Sequence, residues 1–138
     1  MKTFVLDCSV TMAWVLTTQN DDYCREVLKS FEEWQAIVPG IWLYEVANIL
    51  RINEDRKKLS RQESSDFYKR LRSLPITVVE KPELQSSELL LWMSKSHRMT
   101  PYDTAYLYLA MDRGYPLATR DQAMLREAKL AGVAPFLP

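Results

Sequence analysis

Four acidic residues stand where a chain of alternating strands and helices would place chemistry: Asp7, Glu45, Asp103 and Asp121. Asp7 ends the β-prone run Thr3-Phe4-Val5-Leu6. Glu45 lies in the early turns of an apolar helix that follows Ala36-Ile37-Val38. Asp103 falls just inside a helix opened by Pro101, and Asp121 follows the short apolar run Tyr115-Pro116-Leu117-Ala118. In open α/β sheets, ligands bind outside the carboxyl ends of the strands. Topology alone brings Asp7, Glu45 and Asp121 near that edge, and Asp103 joins them if its helix starts there. Carboxylates so crowded repel: at about 5 Å and an effective dielectric near 20, each ionised pair costs about 3 kcal/mol. Cations or protonation must neutralise such a cluster. An open, all-oxygen donor set selects hard ions, Mg²⁺ or Mn²⁺, and such ions can activate water for phosphodiester cleavage. There is no Cys/His cluster of the kind zinc takes, and the three glycines form no phosphate-binding loop. The plain alternative is that Asp103 and Asp121 are ordinary helix caps or first-turn acids.

The elements that must position these acids follow from periodicity and stop signals. Ser9 is a candidate N-cap for a helix carrying Met12, Ala13 and Leu16, and Asn20-Asp21-Asp22 opens a second with Tyr23, Val27, Leu28 and Phe31 as its apolar face. Pro39-Gly40 closes the strand at Ala36–Val38. The next helix carries Leu43, Val46, Ala47, Ile49 and Leu50. Ser60 to Glu63 reads as a capping box for a helix bearing Phe67, Leu71 and Leu74. Ile76–Val79 is a third strand, followed by a helix through Leu84, Leu90, Leu91 and Met93. In the helix from Pro101, Leu107, Ala110 and Met111 recur at helical spacing, and Gly114 ends it. Asp121 opens a last helix with Met124, Leu125 and Ala128, and a final short strand is expected near Val133 to Phe136. This alternation predicts an α/β fold: a Rossmann-like parallel sheet of about 4–5 strands with helices on both faces, in one domain spanning 1–138.

Composition narrows the classes. At 47% hydrophobic, disorder is excluded, and 18 basic against 18 acidic residues exclude nucleic-acid binding by net charge alone. Met1-Lys2 and the apolar run after them could mimic a signal peptide, but Asp7 interrupts it and no small-residue cleavage site follows. No run is long enough to span a membrane. Cys8 and Cys24 form neither a metal cluster nor a disulfide framework, so a cytoplasmic protein with idle thiols is expected.

Four segments, taken together and in order, carry a resemblance: VLDCSV with Asp7 and Ser9, PGIWLYEVANIL with Glu45 and Asn48, TPYDTAYLYLA with Asp103, and LATRDQAMLREA with Thr119 and Asp121. The chain resembles PIN-domain ribonucleases, specifically the VapC-type toxin of a VapBC toxin–antitoxin pair. No segment alone is specific; their order and spacing through the whole chain are. The resemblance implies a PIN-like fold and a metal site made by Asp7, Glu45, Asp103 and Asp121, with Ser9 and Thr119 as polar supports. It implies Mg²⁺- or Mn²⁺-dependent endoribonuclease activity on RNA, a homodimer, and inhibition by a cognate small antitoxin.

Arg51, Arg56, Lys57 and Lys58, and Lys69, Arg70 and Arg72, read as solvated helix faces. Lys95, His97 and Arg98 precede the Asp103 helix and could lie nearer an RNA path, with His97 itself expected in solvent. Arg120, between Thr119 and Asp121, is the candidate phosphate contact. Trp14 and Trp42 are candidates to line a groove for an antitoxin helix. Tyr106, projecting with Asp103, is a candidate for base stacking, with core or dimer packing as the commoner use. The competing function is a non-catalytic PIN-like interaction module. A phospho-receiver domain ranks last, because only Asp7 follows the first strand and no Lys ends a late one.

Overall fold

β1 (Lys2–Leu6) is the strand that the architecture surrounds, because Phe4, Val5 and Leu6 are all fully buried. Successive strand side chains point to opposite faces, so three consecutive buried residues require cover on both. The computed structural model of the protein describes residues 1–79 and 84–138. Within them β1 is followed by α1 (Cys8–Ala13), α2 (Asp22–Ser30), β2 (Trp34–Pro39), α3 (Ile41–Asp55), α4 (Arg61–Ser73), β3 (Ile76–Val79), α5 (Leu84–His97), α6 (Pro101–Arg113), β4 (Leu117–Ala118) and α7 (Gln122–Leu130). The four strands form one parallel sheet in the order β3-β2-β1-β4. The expected α/β fold, with a parallel sheet and helices on both faces, is the one observed.

Phe4 stacks on Phe136 with ring centroids 4.1 Å apart and an interplanar angle of 8°, and Phe31 and Trp34 close around it. α6 packs on β1 and β2. Helix boundaries follow their caps. Ser60 and Glu63 exchange both capping-box hydrogen bonds at the start of α4, and Gly114 ends α6 at φ 68°, a conformation glycine adopts without a Cβ penalty.

Several expectations are corrected. The final strand is reduced to one bridge, Leu117 to Pro135, flanked by the Leu117 N–H to Ala134 and Phe136 N–H to Leu117 hydrogen bonds. Its partner β4 has two residues rather than the expected four, and Pro135 lacks an N–H to extend a ladder. Met111 is exposed rather than in the core. On α5, Leu84, Leu89, Leu91 and Trp92 face solvent and the only buried residue is Ser94, so its apolar character does not serve this core. No helix among the described residues is long and apolar enough to cross a membrane. Both thiols are buried and unpaired, and burial pushes Cys24 up to about 12 and Cys8 higher still.

Candidate functional site

The parallel register of β1 and β4 pairs Leu6 with Ala118, so the next residues, Asp7 and Thr119, are neighbours at the carboxyl edge of the sheet. Asp7, rather than the expected Ser9, occupies the N-cap position of α1, with extended backbone geometry. Its carboxylate caps nothing. Asp7 Oδ2 instead accepts the Ser9 hydroxyl at 2.6 Å and the Thr119 hydroxyl at 2.7 Å. The same hydroxyl oxygens accept backbone N–H groups in turn, Ser9 from Arg120 at 3.0 Å and Thr119 from Asp121 at 3.0 Å. Each hydroxyl thus donates once and accepts once, and together they lock the start of α1 to the loop after β4.

Glu45 is half-buried on α3. Its Oε1 accepts the phenol of Tyr106 at 2.6 Å, and Tyr106 itself is fully buried. Asp103 lies in the first turn of α6, where Thr100, not Asp103, is the N-cap. The plain alternative thus describes both residues: Asp103 is a first-turn acid, and Asp121 is a cap that accepts the Met124 N–H at 3.1 Å and opens α7.

Electrostatics tie the four together. Burial pushes the Asp7 carboxyl above its ordinary range, and the charge of Asp103 adds to this, while the Ser9 and Thr119 hydroxyls oppose it. Glu45 is raised first by burial and then by Asp7 and Asp103, against the Tyr106 hydrogen bond. Asp103 is raised by burial and by Asp121, against Thr100. All the ion pairs found among the described residues involve other acids: Asp22, Glu26, Asp55, Glu127, Asp112 and Asp21. As the side chains stand, no three described His, Cys, Asp or Glu residues lie close enough to hold one metal ion.

Other sequence candidates are placed elsewhere. Arg120 directs its Nε to Asp21 Oδ2 at 3.3 Å. Asn48 is exposed and accepts from Arg51. His97 is not in solvent but 3.0 Å from Glu127 on α7. The Trp14 and Trp42 rings are buried and donate to the Cys24 carbonyl and the Thr11 hydroxyl, so their main use is core packing. Burial of Tyr106 excludes base stacking. The residue that sequence reasoning underused is the same Tyr106: its position three residues after Asp103 put it on the acid face, but its link to Glu45, 61 residues away, had no local signal.

No protein-family model matches the chain, and no curated protein matches it by sequence. Solved structures do match. The crystal structure of PAE2754 from Pyrobaculum aerophilum aligns at TM-score 0.70 and 22% identity, over 97% of this chain and 83% of that one. VapBC2 from Rickettsia felis, solved bound to a DNA fragment from their promoter, aligns at TM-score 0.65 and 8% identity over 97% of both chains. A PilT N-terminus domain protein from Sulfolobus solfataricus aligns at TM-score 0.53 and 12% identity, over 97% and 85%. At such identities the likeness is one of architecture, and it agrees with the resemblance read from the four sequence segments: the chain has the PIN-like fold, the fold of the PilT N-terminus domain.

Proposed function

We propose that the chain is a metal-dependent endoribonuclease, the toxin of a type II toxin–antitoxin pair, which hydrolyses RNA phosphodiester bonds at Asp7, Glu45, Asp103 and Asp121. One observation supports the reading: Asp7, Glu45 and Asp103 are each raised by burial and by the like charge of another of the four acids, and none of the four has a basic partner among the described residues. Uncompensated negative charge made only of oxygen donors fits a hard divalent cation. Those four residues would hold Mg²⁺ or Mn²⁺, and the bound ion would supply an activated water and a Lewis acid at the phosphate. Because the carboxylates do not yet form a ligand set, holding the ion requires some of their side chains to rotate. Ser9 and Thr119 keep Asp7 fixed while they do so. Arg120 is the proposed phosphate contact, and it must exchange Asp21 for the substrate.

The purified protein, freed of any partner, is expected to cut RNA with Mg²⁺ or Mn²⁺ and to stop in EDTA. Robust cleavage in chelator would overturn the mechanism. Absence of cleavage with either metal, alongside retention of a small bound protein, would favour the non-catalytic interaction module.

The likeness to VapBC2 supports a cognate small antitoxin as partner. An open apolar groove of about 370 Å³, lined by Ile41, Tyr44, Leu90, Tyr108 and Leu109, is a candidate seat for it. The exposed apolar residues of α5, with Trp92 at 55% exposure, support a homodimer through that helix. In light scattering the wild type is expected at twice the monomer mass, and the double variant Leu91→Asp, Trp92→Asp at the monomer mass with its helical content intact. A dimer in both would place the interface elsewhere.

A further inference from the structure

We propose that Tyr106 is a positioning residue for Glu45, fixing which carboxylate oxygen is offered to the divalent cation; this rests on the metal-dependent reading above. The Tyr106 phenol donates to Glu45 Oε1 at 2.6 Å, within the range of a short bond to a charged acceptor. Among the described residues Oε2 of Glu45 takes no hydrogen bond. Oε1 therefore carries one donor and Oε2 none, which leaves Oε2 the more open of the two to a ligand.

The phenol is well suited to this task. Tyr106 is fully buried, its ring lies within the core and it has only two side-chain torsions, so its oxygen is a fixed point. Glu45, by contrast, is half-buried on a long side chain with three torsions, and a flexible ligand binds an ion less tightly than an ordered one. Tyr106 also sits three residues after Asp103, on the same helix and the same face. One helix therefore supplies an acid and the group that orients a second acid on α3. Partners that orient metal ligands in this way typically change metal affinity by about 10–100-fold when removed.

The test is Mn²⁺ binding without RNA, measured by titration calorimetry on the intact chain. Tyr106→Phe removes one hydroxyl and little volume. Tyr23→Phe is the control: it also removes a half-buried phenol, whose partners are the Phe136 carbonyl at 3.0 Å and the Thr119 backbone rather than any of the four acids. Tyr106→Phe is expected to weaken Mn²⁺ binding by about tenfold or more, and Tyr23→Phe to leave it within twofold of wild type. Repeating Tyr106→Phe in a Glu45→Gln background separates positioning from a general loss of structure. If Tyr106 acts through Glu45, the second substitution adds no further loss. Melting curves without metal verify that each variant is folded. Unchanged or tighter binding in Tyr106→Phe, or equal losses in both tyrosine variants, would overturn this inference and leave the metal site standing. No Mn²⁺ binding by the wild type would overturn both.

Discussion

Asp7→Asn is expected to abolish RNA cleavage while raising the melting temperature of the metal-free protein. Removing a group that merely orients a metal ligand already costs about 10–100-fold, so loss of a ligand itself should cost at least about 100-fold in cleavage rate. Stability moves the other way. Asp7 is 5% exposed, its carboxyl is raised by burial, and Asp103 adds like charge. Asparagine keeps an oxygen for the Ser9 and Thr119 hydroxyls and removes the charge, which should stabilise the chelated protein by about 1–3 kcal/mol, or a few degrees. The pH dependence has a definite sign. A carboxyl whose folded pKa lies above its unfolded value of about 4 favours folding most below that value, and the contribution is lost as pH rises through the folded pKa. In chelator the wild type should therefore gain stability from Asp7, Glu45 and Asp103 as pH falls from 7 towards 5, and Asp7→Asn should gain less. Added Mg²⁺ or Mn²⁺ binds only the folded state and should stabilise wild type by about 2.7 kcal/mol at a hundred times its Kd, with a smaller gain in the variant. Had Asp7 no role beyond its place before α1, the melting points in chelator would be equal and neither form would respond to metal.

Phe4→Ala is expected to have the largest effect on folding. Phe4 is wholly buried on the central strand, stacked on Phe136 and edged by Phe31 and Trp34. Truncating such a ring removes its transfer free energy and leaves a cavity, typically about 3–5 kcal/mol. For a chain of this length that lowers the melting temperature by about 10 °C or more. The loss should appear equally with and without divalent metal, since the ring packs in an aromatic cluster with Phe31, Trp34 and Phe136. A shift below about 1 kcal/mol in denaturant unfolding would show that the aromatic cluster collapses around the gap or contributes little. A shift that disappears in Mg²⁺ would mean that core and acid edge are coupled.

The elements were legible wherever their signals are local. The capping box of Ser60 and Glu63, the left-handed stop at Gly114, and the apolar runs of β1 and β3 each depend on residues within a few positions of one another. Misreadings arose where a neighbour in space sets the outcome. The apolar residues of α5 have the pattern of a core helix, yet face outward. The segment near Pro135 looked like a strand, but a ladder needs a partner longer than two residues. Ser9 looked like a cap because serine is a common one, whereas its hydroxyl is committed to Asp7.

For the candidate site, residue types and order in the sequence pointed to Asp7, Glu45, Asp103 and Asp121 as candidates, and alternating strands and helices send Asp7 and Asp121 to one sheet edge. What no sequence spacing contains is how each acid is held. The Leu6–Ala118 register makes Asp7 and Thr119 neighbours 112 positions apart, and only that pairing gives Oδ2 its two hydroxyl donors. The packing of α6 on the sheet puts the Tyr106 phenol against Glu45, turning a tyrosine that could have stacked on a base into a buried donor. Burial, decided by the whole fold, raises three of the carboxyls, because removing water penalises the charged form of each. The sequence determined which groups are candidates; tertiary structure decided their hydrogen bonds and their exposure to solvent, and so how readily each carries charge.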